Sequence, residues 1–111
     1  MNGDVIDVAI LEISIVPLGI PASGISEYVA CCLDELEKCG GKVRYELTAM
    51  GTIMEGDLDV ILDIVRKMHE APFRKGAKRV LTTLRVDDRR DINASIEQKI
   101  RSVKEKMPRT D

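Results

Sequence analysis

Aromatic residues are nearly missing from this chain: one Phe, two Tyr and no Trp, 3% of 111 residues. That scarcity argues against an RNA-binding sheet, which stacks bases on aromatics of its first and third strands. Neither strand has any here. Only Tyr28, Tyr45 and Phe73 could meet a cationic ligand through a ring face. An excess of one charge is lacking too. The 17 Lys and Arg and the 19 Asp and Glu are spread along the chain and give no electrostatic footprint for nucleic acid. The longest apolar run, Val8 to Ile20, is broken by Glu12 and Ser14, so no membrane span is expected. Without a basic flank, and with acids before and within it, the run is not expected to act as a signal peptide.

Cysteine and histidine are sparse as well. Cys31, Cys32 and Cys39 cluster on one predicted helix, and an odd, clustered number builds no disulfide framework. Cys32 falls on that helix's apolar face, where a thiol behaves as a small hydrophobe. The single histidine, His69, is far from them in sequence, so neither a metal site nor a cofactor is expected. A reducing cytoplasm is the expected location. A hydrophobic fraction of 44% and a charged fraction of 32% describe a globular domain, and residues 1–111 read as one.

Periodicity supplies the elements. Asp4 to Val16 alternates as a long strand, with Ala9, Leu11, Ile13 and Ile15 on a wholly apolar face. The other face carries Val8, Ile10, Glu12, Ser14 and Val16, and looks partly covered by a subunit or a ligand. Pro17 to Pro21 reads as a stiff loop, because neither proline can donate to a ladder. Ser23 or Ser26 can cap a helix running to about Cys39, with Ile25, Val29, Cys32, Leu33 and Leu36 in one stripe. Glu27, Asp34, Glu35 and Lys38 take the wet side, and Gly40-Gly41 ends the helix in a left-handed turn.

Lys42 to Thr48 alternates again, with Val43, Tyr45 and Leu47 inward and Arg44, Glu46 and Thr48 outward. Met50-Gly51 turns the chain into a short strand, Thr52 to Glu55. Asp57 starts a second helix, with Leu58, Ile61, Leu62, Val65 and Met68 in its stripe and Pro72 at its end. Arg79 to Val86 is a fourth strand. Asp87 to Asp91 is a charged corner leading to a third helix, whose stripe is Ile92, Ile96, Ile100, Val103 and Met107. The order βαββαβ with an extra C-terminal helix predicts an α+β, ferredoxin-like fold: a four-stranded antiparallel sheet with two helices on one face. The opposite face, apolar with polar groups in its middle, predicts a homo-oligomer.

The stretch from Leu47 to Gly56 stands out, with two threonine hydroxyls, one carboxylate, two methionines and glycines that allow close approach. It suits contact with a small molecule better than catalysis. Pro17-Leu18-Gly19, Ser26 to Ala30, Met50 to Gly56, His69-Glu70 and Asp87 to Asp91 resemble the MTH1187/YkoF family of thiamine-binding proteins, over roughly residues 4 to 106. The resemblance implies a cytoplasmic homodimer or homotetramer built through the sheets. It further implies non-catalytic binding of thiamine or its hydroxymethylpyrimidine portion.

An aminopyrimidine offers an amine beside a ring nitrogen. A carboxylate can meet both once that nitrogen is protonated, hydroxyls can serve either edge, and methionine can cover the ring. The candidates are Glu12, Ser14, Thr48, Met50, Gly51, Thr52 and Glu55. Glu12, Ser14 and Thr48 share the outer face, whereas Thr52 and Glu55 have opposite parity, so a bulge is needed or one of them points elsewhere. Bland readings stand beside these. Glu12 can pair with Arg44 or Arg85, the threonines can be ordinary strand residues, and Glu55 can balance the start of the second helix. His69 reads as packed or dipole-compensating. The rivals are a regulatory or assembly module for another small ligand, and an enzyme using Glu12, Glu55 or His69 as a base. No nucleophile motif or phosphate loop supports the enzyme.

Overall fold

The computed structural model describes residues 8–91 and 96–108, apart from the side chains of 96–98. Its elements are β1 (Ala9–Pro17), a 3₁₀ turn (Ala22–Gly24), α1 (Ile25–Glu37), β2 (Arg44–Thr48), β3 (Gly51–Gly56), α2 (Leu58–Arg74), β4 (Val80–Asp88) and α3 (Ile96–Lys106). The sheet order is β2-β3-β1-β4, every neighbouring pair antiparallel. This is the ferredoxin-like arrangement expected from the element order. Residues 4–7 of the expected first strand, and Ile92 of the third stripe, lie outside the described residues.

The apolar face of β1 does what its alternation predicts. Leu11, Ile13 and Met54 are sealed against Cys32 and Leu36 of α1 and Ile61, Ile64, Val65 and Met68 of α2. Asp57 caps α2, its Oδ1 accepting from the amides of Asp59 at 2.9 Å and Val60 at 3.2 Å. Gly40 (φ 61°) and Gly41 (φ 88°) adopt the left-handed conformation expected after α1.

Several sequence expectations are corrected. Neither Ser23 nor Ser26 caps α1: the 3₁₀ turn leads in and Gly24 holds the cap position without a side-chain bond. Pro72 does not end α2 but lies inside it, two residues before its last, Arg74. Asp87 and Asp88 continue β4, opposite Ile10 and Ala9, instead of forming a corner. Glu35 is not on the wet side. Its carboxylate, 12% exposed, bridges α1 to Arg74 of α2 at 2.9 Å. Leu47 points toward the helices but is 60% exposed, because β2 is an edge strand that α1 only partly covers. Leu62 is exposed and Ile64 takes its place in the core. Ile100, Val103 and Met107 of α3 are all exposed.

Pro17 also departs from expectation, as the last residue of β1, opposite Val80. The Ile13 carbonyl is turned toward β3, since a side-chain carbon at Gly51 would lie 2.5 Å from its oxygen. Alternation turns Ile15 and Pro17 the same way. The proline nitrogen therefore faces away from β4 and no ladder bond is missed.

Candidate functional site

The register creates a notch. β1 pairs with β3 only from Ala9 to Ile13, but with β4 as far as Pro17. Beyond Ile13 the β2–β3 hairpin has turned away, and the edge of β1 that faced it is bare. Alternation directs the Ile15 amide and carbonyl to that side. The N-terminal half of α1 passes over the gap with Ile25 and Val29, and Met68 of α2 closes the rear. The half-open cavity measures about 330 Å³, within the range of small-molecule pockets. Met50, 82% exposed, stands at the hairpin tip beside the mouth.

The hairpin groups have different tasks. The Thr48 hydroxyl donates to the Gly51 carbonyl at 2.9 Å and accepts from the amides of Met50 at 3.2 Å and Gly51 at 3.1 Å. It ties the turn and has its bonding capacity used locally. Gly51 is dictated by the approach of β3 to the Ile13 carbonyl, which leaves no room for a side chain.

Thr52 is directed to the helix side, opposite Ile13 and Leu47, and is 5% exposed. Among the described residues its hydroxyl makes no hydrogen bond. Among the described residues no fully sealed side-chain nitrogen or oxygen lacks a partner, so this hydroxyl opens onto the cavity it lines. Ser14 borders the same cavity through its backbone, because alternation along β1 turns its side chain to the Glu12 face, opposite Thr83.

The walls are uncharged. Among the described residues Cys32 is the one ionisable side chain lining the cavity, and its Sγ donates to the Met68 carbonyl at 3.4 Å. Burial, followed by the neighbouring Cys31, pushes the thiol up to about 12, so it stays protonated at neutral pH.

Glu12 and Glu55 lie on the other side of the sheet. Glu12 stands opposite Ile53 and Arg85, and its Oε1 accepts from Arg85 Nε at 3.2 Å and Nη2 at 2.9 Å. Glu55 stands opposite Ile10 and Arg44 on that same face. A broader hollow of about 370 Å³ lies there, lined by Ile10, Glu12, Ile53, Arg85, Val86 and Asp87. Five of the seven residues singled out in the sequence thus gather at the notch (Ser14, Thr48, Met50, Gly51 and Thr52) and two face away from it. Sequence reasoning missed the bare edge at Ile15 and the roof from Ile25 and Val29. Pro17 was the available signal, because a proline at a strand end marks a side with no partner.

His69 is tied into the fold, Nδ1 lying 2.7 Å from Thr82 Oγ1 and its ring meeting Phe73 edge-on at 5.5 Å. Tyr45 donates to Glu37. Neither Tyr28, Tyr45 nor Phe73 lines the notch. Among the described residues no three His, Cys, Asp or Glu groups gather as a metal site, and no helix is long and apolar enough to cross a membrane.

The fold and notch define a ferredoxin-like domain with an uncharged, hydroxyl-bearing cavity at the end of its central strand. The family model described as Thiamine-binding protein matches residues 11–104, and the chain belongs to that family. UPF0045 protein YqgV of Bacillus subtilis is 43% identical over 97 residues, covering 86% of this chain and 93% of the relative. A UPF0045 protein of Methanothermobacter thermautotrophicus is also 43% identical over 97 residues, covering 86% and 96%. Among solved structures, hypothetical protein MJ1052 of Methanocaldococcus jannaschii superposes with a TM-score of 0.79 at 35% identity, covering 89% of this chain and 98% of that one. A Bacillus cereus domain of unknown function gives 0.75 at 28% identity, covering 90% and 92%.

Proposed function

We propose that this chain binds thiamine, or its hydroxymethylpyrimidine moiety, without transforming it, in the notch between α1 and the bare edge of β1. The observation that carries the reading is the hydroxyl of Thr52, a residue 5% exposed that lines a cavity of about 330 Å³ and has no hydrogen-bond partner among the described residues. A nearly buried hydroxyl in that position loses hydrogen bonds to water and gains most from a polar ligand edge. Family membership supports the choice of ligand. Thr52 would supply a hydroxyl, Ser14 would border the ligand through its backbone, Met50 would cover the ring, and Thr48 and Gly51 would hold the hairpin in shape. The lack of any acid–base pair among the lining residues favours binding over catalysis.

A homodimer or homotetramer belongs to the same reading. Val16 and Leu81 on the outer sheet face, and Ile100, Val103 and Met107 on α3, are exposed apolar groups of the kind subunits cover. Three free thiols suit a reducing cytoplasm. Thermal unfolding with thiamine, thiamine diphosphate and hydroxymethylpyrimidine tests the reading. A ligand bound only by the folded state raises the midpoint with its concentration. No shift with any of the three at millimolar concentration would remove the assignment.

A further inference from the structure

We propose that the notch reads an uncharged aminopyrimidine edge through the backbone of Ile15, as a neighbouring strand would, and that it disfavours the protonated ring and phosphorylated forms. The inference rests on the binding function proposed above and specifies which chemical state of the ligand the site takes.

Three observations carry it. First, β1 loses its β3 partner after Ile13 while keeping β4 to Pro17, so the edge at Ile15 is bare toward the cavity. The Ile13 carbonyl fixes the phase: it faces the hairpin, and an extended residue two positions on presents its N–H and C=O to the same side. Pro17 agrees with that phase, since its nitrogen falls where no ladder bond is available. A residue on a bare strand edge offers one donor and one acceptor pointing the same way. An aminopyrimidine offers the complement, its ring nitrogen accepting from the amide and its amine donating to the carbonyl. Second, the Thr52 hydroxyl opens into the same cavity without a partner. It can meet a second polar group of the ring.

Third, among the described residues no charged side chain lines the cavity. From β1, β2 and β3 the cavity is lined by aliphatic side chains, hydroxyls, methionine and backbone. From α2 it receives Met68, and from α1 only the protonated Cys32 thiol among titratable groups. Glu12 and Glu55, which would favour a protonated ring, stand on the opposite sheet face with Arg85 and Arg44 as cross-strand neighbours. Burying a protonated pyrimidine ring or its phosphate ester inside the notch against uncharged walls is costly, whereas burying a neutral ring with its edge satisfied is not. The thiazolium of thiamine would stay in solvent at the open mouth.

Calorimetric titration of hydroxymethylpyrimidine between pH 5 and 8 tests the proposal, together with its phosphate ester and the analogue bearing an oxo group in place of the amine. The oxo analogue reverses donor and acceptor along the edge. The account expects affinity to fall as pH drops through the ring's own protonation. It expects the oxo analogue and the phosphate ester each to bind about tenfold or more weakly. Binding that strengthens on acidification, or an oxo analogue that binds equally well, would overturn this edge readout while leaving the binding function standing. Absence of binding by hydroxymethylpyrimidine and thiamine alike would overturn both.

Discussion

The Cys32 thiol on α1 donates at 3.4 Å to the Met68 carbonyl on α2, the carbonyl that Pro72 leaves without its helical donor. A proline four residues on cannot supply the N–H that would close that turn. The thiol from the neighbouring helix supplies a donor instead, which lets α2 run through Pro72 to Arg74. Replacing Cys32 with Ala should cost about 1–3 kcal/mol, because it leaves a buried carbonyl unpaired. Urea unfolding of the variant measures this.

Cys32 also sets a pH expectation. Its thiol rises from an ordinary 9.0 to about 12 in the fold, so the native state holds the proton longer than the unfolded chain. The contribution is fully present below pH 9 and is lost as pH climbs from 9 toward 12. Cys32→Ala should therefore lose less stability than the wild type over that interval. In native alkylation below pH 9, Cys32 should react more slowly than the half-buried Cys31 and Cys39.

Gly51 lies where the hairpin packs tightly against β1. A methyl group there would sit 2.5 Å from the Ile13 carbonyl oxygen, a backbone atom that cannot step aside. Gly51→Ala should destabilise the fold by about 1–3 kcal/mol through overpacking. Gly24→Ala is the control. Its new carbon would meet only Ile20 Cγ2, at 3.4 Å, and stability should move by less than about 0.5 kcal/mol.

The Glu12–Arg85 pair sits on the outer face, with side chains 38% and 79% exposed. Such pairs contribute at most about 1 kcal/mol. Glu12→Gln should leave hydroxymethylpyrimidine affinity unchanged and reduce stability by no more than that. A tenfold loss of affinity in calorimetry would move the ligand to the outer face.

Element order and core stripes were legible because burial imposes periods of two and 3.6 residues on the sequence. The site was half legible. The residues of the hairpin were singled out, but which face each served depends on the β1–β3 register, which pairs Ile13 with Thr52 and Ile10 with Glu55. Alternation alone could say only that Thr52 and Glu55 oppose each other. Thr48 looked like a ligand group, and its hydroxyl is spent on the turn, a three-residue relationship hidden by ordinary strand chemistry. The Glu35–Arg74 bridge spans 39 residues and joins two helices, so local charge patterning could not show it.

The account places the ligand on the helix side of the sheet, against Thr52. Calorimetric titration of hydroxymethylpyrimidine into Thr52→Val tests that placement, since valine keeps the shape and removes only the hydroxyl. The account predicts affinity lower by about fivefold or more, with circular dichroism unchanged. A folded variant that binds as tightly as the wild type would contradict it.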